Sequence, residues 1–266
     1  MGCLGKLFKG CFIFFLLFIL LIGLFIGLLF SNRLFGVKYD LNEDKTSYTL
    51  SEYGIWNGKD SFSIPEKHLG KPVTKIKESA FSFSELTSIT IPKTITTIEN
   101  GAFEDCYDLT SITVDENNTK YKSVDGNLYT KDGKVLIQYA SGKDATHFSI
   151  PDGVTEIGAG AFDCCEHLIG ISIPDSVTTI GANAFYYCYN LVGVVVPTSV
   201  KEISYYSFNW IKIYYKGTAE EWNAINVSDS DFFPTDFDLM FYSETKPTEE
   251  GNYWHYDANG KVAVWQ

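Results

Sequence analysis

Three cysteines recur at one position of a pattern: Cys106, Cys165 and Cys188 each stand three residues after a phenylalanine. If the pattern stacks as parallel strands about 4.8 Å apart, Cys165 and Cys188 approach disulfide range. Parallel side chains at equivalent positions seldom meet the torsion a disulfide needs, so buried thiols packing as small apolar groups are expected. Cys164 adjoins one of them, and no C-x-x-C pair occurs, so neither a zinc ribbon nor a thioredoxin-type centre is indicated. A second recurring set is hydroxylic. Thr90, Thr113, Ser149 and Ser172 sit between aliphatic or aromatic neighbours in short alternating runs, with Val195 at the same place in the next run. On one face of a sheet they would form a ladder of donors and acceptors suited to a protein or glycan, although Thr and Ser are also ordinary soluble strand residues.

Other groups carry weaker signals. Asp229, Asp231, Asp236 and Asp238 cluster, but Phe233 and Pro234 occupy the fifth and sixth positions counted from Asp229. A calcium loop of the EF-hand kind needs a ligand at the fifth and glycine at the sixth, which excludes it. Trp254, His255, Tyr256 and Trp265 suit either a sugar-stacking platform or a capping hairpin that buries its rings, and the cap is the expected role. His68, His147, His167 and His255 recur in no metal-ligand spacing, and no nucleophile elbow, H-E-x-x-H, phosphate loop or dinucleotide fingerprint occurs. No catalytic residue, metal or cofactor is expected.

The elements that must position these residues come from self-similarity. Ala-Phe pairs place Phe81, Phe103, Phe162 and Phe185 in register, Ser207-Phe208 stands at the same place of a fifth unit, and Ile76, Ile98, Ile157, Ile180 and Ile203 lie five residues before each phenylalanine. Phe162, Phe185 and Phe208 follow at intervals of 23 residues, and Phe81 to Phe103 is 22. A period in the twenties is the length of one solenoid coil. Alternating Ile and Val in SITIP, ISIP and VVVP read as short strands with one apolar side inward, and Pro92, Pro174 and Pro197 stop them because proline has no N–H to donate. A single coil cannot bury its apolar faces, so coils must stack.

Between Phe103 and Phe162 the interval widens to 59 residues. There NLYT and VLIQYA flank Lys131-Asp132-Gly133-Lys134, a hairpin signal inside an extended coil. Residues 31–45 read as a polar linker, and 46–215 as the repeat domain with an amino-terminal cap. Residues 216–266 read as a carboxyl-terminal cap, in which Thr218 caps a short helix with Trp222 and Ile225 inward, before a closing hairpin around Asp257-Ala258-Asn259-Gly260.

Residues 1–30 are expected to be a short tail and transmembrane signal anchor: Cys11 to Phe30 is twenty uncharged residues, enough to span a bilayer as a helix. The run exceeds a usual signal-peptide core and no small-x-small cleavage site follows. Lysines flank the run almost evenly, so orientation rests on the signal-like start, which places the repeats outside the cell. The whole chain carries 33 acidic and 21 basic residues, a net charge of −12, which disfavours nucleic acid and anionic headgroups.

The pattern in ITTIENGAFEDCYDLTSITV, VTEIGAGAFDCCEHLIGISIP and VTTIGANAFYYCYNLVGVVVP resembles the BspA-like leucine-rich-repeat proteins of the treponemal subclass, over about residues 46–215. Ser84 departs from it where later coils carry cysteine, and the fifth unit lacks the following leucine strand. The resemblance implies a mainly β, helix-poor, right-handed curved solenoid with a parallel sheet on its concave face. It also implies a surface protein of adhesion type, binding an extracellular protein or glycan through concave-face residues such as Thr90, Thr113, Ser149 and Ser172. The alternative is a structural envelope protein assembling with partners in its own membrane, for which Gly23 and Gly27 supply a helix-pairing motif.

Overall fold

In the computed structural model of the chain, residues 36–54, 60–208, 211–228, 239–248 and 251–265 are described. The chain is a mainly β solenoid of about eight turns, with one short helix, Ala219–Asn223, among the described residues. The expected span Cys11–Phe30, the Gly23/Gly27 motif and the aspartate loop 229–238 lie outside the described residues. Among those described, no helix is long and apolar enough to cross a membrane.

The first element, β1 (Val37–Leu41), pairs antiparallel with β2 (Tyr48–Tyr53). Part of the segment expected to be a linker is therefore a strand. Val37 and Tyr39 pack against the core, and burying these two side chains outweighs the polar residues around them. Next come β3 (Ser61–Ser63), β4 (Lys67–His68) and β5 (Lys71–Ile76). Then long and short strands alternate: β6 (Ser88–Ile91), β7 (Thr97–Ile98) and β8 (Ser111–Val114). The extended coil supplies β9 (Tyr121–Val124), β10 (Asn127–Thr130) and β11 (Val135–Gln138). The alternation resumes with β12 (His147–Ser149), β13 (Glu156–Ile157), β14 (Gly170–Ser172), β15 (Thr179–Ile180), β16 (Gly193–Val196), β17 (Glu202–Ile203) and β18 (Lys212–Tyr215). After the helix follow β19 (Asn226–Val227), β20 (Leu239–Tyr242), β21 (Tyr253–Tyr256) and β22 (Val262–Val264).

Each coil contributes to two walls. The long strands stack as β3-β6-β8 and as β12-β14-β16-β18-β20-β21-β22. The short strands form the second wall, in which β5 pairs with β7 and a separate run is ordered β19-β17-β15-β13-β11-β10-β9. Repeat hydroxyls tie coil to coil: Ser176 Oγ donates to Val154 O and Ser199 Oγ to Val177 O, each at 2.7 Å.

The Ala-Phe elements stack as expected, but in two series. Phe81 lies on Phe103 with ring centroids 5.4 Å apart. The second series runs Tyr139, Phe162, Phe185, Phe208 at 5.3–5.4 Å. Tyr139, from the extended coil, takes the place of a phenylalanine.

The extended coil divides the interior. The hairpin around Asp132-Gly133 forms as expected, with β10 antiparallel to β11 and β11 parallel to β13. Successive strand residues point to opposite faces, and here those faces look into different cores. Leu128, Ile137 and Ala140 pack with the amino-terminal core; Tyr129, Leu136 and Tyr139 pack with the carboxyl-terminal one. A second hairpin, β9 to β10, turns at Asp125-Gly126, both with positive φ (49° and 74°), the conformation for which Asp-Gly is favoured in two-residue turns. Asn118 fixes the entry to this insertion. Its buried amide donates to Pro92 O and Ile95 O at 2.9 and 3.0 Å, and its Oδ1 accepts from the N–H groups of Lys120 and Tyr121.

Candidate binding surface

Alternation along the long strands puts the hydroxyl set outward. In β6 and β8, Ile89, Ile91 and Ile112 are buried while Thr90 and Thr113 are exposed. Ser149 and Ser172 are likewise exposed in β12 and β14. Thr90 is in register with Thr113, and Ser149 with Ser172 and then Val195. The four residues do not form one ladder: β8 and β12 do not pair. The turn of the inserted hairpin occupies the edge of β8 instead, where Ile112 N–H donates to Gly126 O at 2.8 Å. The single parallel sheet expected on this face is therefore two sheets, because the insertion's backbone takes the hydrogen-bonding edge that the next strand would use.

The closing hairpin changes the second sheet. Trp254 is fully buried and its Nε1–H donates to Tyr215 O at 2.9 Å. Its ring, Tyr214 and Met240 form a small apolar cluster against which Val195 and Val262 pack. Val195 belongs to the outward row of β16 and Val262 to β22, so the hairpin rests on the long-strand face. His255 stacks on Trp265 with centroids 3.8 Å apart, while Tyr256 remains exposed.

Between that hairpin and the floor of β12, β14, β16 and β18 lies a trough of about 620 Å³. Its floor is small: Gly170 and Gly193 are in register, with His147 on one side and Lys212 on the other. A Cβ on Gly170 would sit 2.8 Å from the His147 ring, and one on Gly193 2.5 Å from the Tyr214 ring. The two rings can lie down over the sheet because those positions lack side chains. Of the hydroxyl set only Ser172 lines the trough. Gly170, Gly193, Tyr214, Lys216 and Lys261 were not singled out by sequence reasoning. The available signal was glycine in two successive coils where Ser88 and Ser111 stand in earlier ones.

The turns just after Phe103 and Phe162 carry an acidic group. Among the described residues, Asp105, Asp163 and Cys164 alone form a trio of possible metal ligands, all within 4.8 Å. These atoms engage one another: Asp105 N–H donates to Asp163 Oδ2 at 2.8 Å and Cys164 Sγ to Asp105 Oδ1 at 3.5 Å, while Tyr107 OH bonds Asp105 at 3.0 Å. Burial pushes the Asp163 carboxyl up to about 6, against the pull of the Asp105 N–H. The four cysteines of the described residues are free and buried. Cys106 and Cys188 donate to the carbonyls of Phe81 and Phe162 at 3.2 and 2.9 Å, and burial pushes the Cys106 thiol up to about 12.

Stacked coils of strand, turn and Ala-Phe element define a leucine-rich-repeat solenoid. The BspA type leucine-rich repeat region matches residues 56–125 and 138–229 in six copies, and the chain belongs to this family. The break in the match falls on the inserted hairpin. Among solved structures, the chain is similar to a leucine-rich repeat protein from Eubacterium ventriosum, at 31% identity and a TM-score of 0.54, over 59% of this chain and 42% of that one. It shares a fold with the pneumococcal vaccine antigen PcpA, at 19% identity and a TM-score of 0.51, over 69% of this chain and 62% of that one. The chain thus spans less than two thirds of either protein. No curated protein matches its sequence. The family is one of repeat scaffolds, and the match indicates no enzymatic family.

Proposed function

We propose that the chain is a non-catalytic scaffold at a bacterial cell surface, anchored through Cys11–Phe30, whose long-strand face binds an extracellular protein or glycan. In this reading residues 1–30 are tail and anchor, 31–45 lead from it into the first strand, 46–215 carry the repeats and 216–266 close the end. The observation that carries it is the outward row: Thr90, Thr113, Ser149 and Ser172 are exposed while their aliphatic neighbours are buried. Solenoids offer such extended faces to ligands, and family membership supports a binding role. The acidic balance of the chain argues against nucleic acid as the partner.

Two measurements test this. Protease added to intact cells should remove the repeat domain; protection until lysis would place it inside and reject surface display. Full-length protein should capture an extracellular partner, and replacing Thr90, Thr113 and Ser172 with lysine should abolish capture. Unchanged capture would reject this face, and capture of co-expressed membrane proteins alone would favour assembly within the membrane.

A further inference from the structure

The trough has a composition unlike the rest of the chain. Its charged lining is Lys216 and Lys261, with the His147 ring beside them, and among the described residues no carboxylate lines it, although acids outnumber bases 33 to 21 in the sequence. Lys216 comes from the floor and Lys261 from the overhanging hairpin, so cations stand on two walls. Lys216 is paired with Asp175 at 3.0 Å, but that carboxylate is 78% exposed; such surface pairs are weak and exchange readily for another anion.

The lip is aliphatic. Ile169 and Val192 stand at equivalent places of successive coils, 44% and 67% exposed, where most large aliphatics of the repeats are buried. Val195 and Val262 continue the apolar surface inward. Such walls favour branched hydrocarbon and give little to the many hydroxyls of a sugar, for which Ser172, His147, two tyrosines and two lysines are few partners. Resting on the binding-scaffold reading above, we infer that this trough holds an extended segment of a partner protein in which aliphatic side chains alternate with carboxylates. The net negative charge of the chain disfavours such a segment in general, so the two lysines also direct it to this place.

The experiment uses full-length protein and a fluorescein-labelled peptide in which glutamate alternates with isoleucine and valine. Binding is followed by anisotropy beside a lysine-alternating peptide and an oligogalacturonate. The acidic peptide should bind, weaken as salt is raised, and weaken about tenfold or more in the Lys216→Glu/Lys261→Glu double variant. That variant should gain affinity for the lysine peptide. Lys216→Gln/Lys261→Gln, which introduces no new charge, should shift binding in the same direction by less, and Val192→Glu should also weaken it. Lys93→Glu, in the amino-terminal half, should leave it unchanged.

Equal affinity in wild type and both double variants overturns the inference, as does oligogalacturonate binding with the same lysine dependence in place of the peptide. If the Lys216→Glu/Lys261→Glu variant still captures the extracellular partner, the trough is rejected and the scaffold reading stands. If the peptide binds but wild type captures no partner, the scaffold reading fails and the trough stands.

Discussion

The side chain of Asp163 accepts the backbone N–H of Asp105 at 2.8 Å, joining residues 58 apart in sequence. At the equivalent place of the coil that holds Phe162, the N–H meets a carbonyl of the next coil: Cys164 N–H donates to Tyr186 O at 2.9 Å. The extended coil has no Ala-Phe turn between Phe103 and Phe162, and the Asp163 carboxylate bridges the gap.

That bridge carries a pH signature. Asp163 is buried and its carboxyl is raised to about 6, so the folded state holds the proton more tightly than the unfolded one. This group's contribution to stability is fully present below about pH 4 and is lost as pH rises through about 6, a loss of roughly 3 kcal/mol. Asp163→Asn keeps an acceptor for Asp105 and removes the titration. Urea unfolding at several pH values should show a flatter profile over that window and higher stability at neutral pH. An unchanged profile would place the carboxylate in water.

Tyr139 continues the phenylalanine stack, but its hydroxyl is buried with no hydrogen-bond partner among the described residues. An unmet buried hydroxyl costs about 1–3 kcal/mol. Tyr139→Phe should raise the melting temperature, with a gain on the order of 1 kcal/mol. A clear loss would mean that the hydroxyl is satisfied by bound solvent.

How much of this was legible follows from where the signal resides. The period from Phe162 to Phe208, the Asp132-Gly133 turn and the Thr218 cap are local patterns, and each appears in place. The cap is reciprocal, with Glu221 N–H donating to Thr218 Oγ1 and Thr218 N–H to Glu221 Oε2. The break between Thr113 and Ser149 was not legible, because whether β12 or the Gly126 turn takes the edge of β8 is settled by tertiary packing. The trough was hidden for the same reason: Val195 and Val262 pack against one cluster from distant parts of the chain, and no period relates them. The Asp125-Gly126 turn carried the same dipeptide signal as Asp132-Gly133 and was missed.

Asn118 is the polar counterpart of these contacts. Both its amide hydrogens and its carbonyl oxygen are used, and it is 1% exposed. Asn118→Ala would strand the carbonyls of Pro92 and Ile95 and the N–H groups of Lys120 and Tyr121. A loss of about 3 kcal/mol is expected in chemical denaturation. A loss below about 1 kcal/mol would show that water or a shifted backbone replaces these bonds.

The divided interior makes the most demanding prediction. Leu128 and Leu136 are both fully buried and face each other's strands in one hairpin, yet Leu128 packs in the amino-terminal core and Leu136 in the carboxyl-terminal one. Either leucine replaced by alanine should cost about 2–5 kcal/mol. Coils of a solenoid contact only their neighbours, so a local loss spreads through the array by successive interfaces and weakens with distance. Hydrogen exchange should therefore separate the two variants. Leu128→Ala should release protection first in β8 and then β6, and Leu136→Ala first in β13 and then β15. If both variants lower protection uniformly along the chain, the two cores unfold as one cooperative unit, and the inserted hairpin couples them more strongly than it divides them.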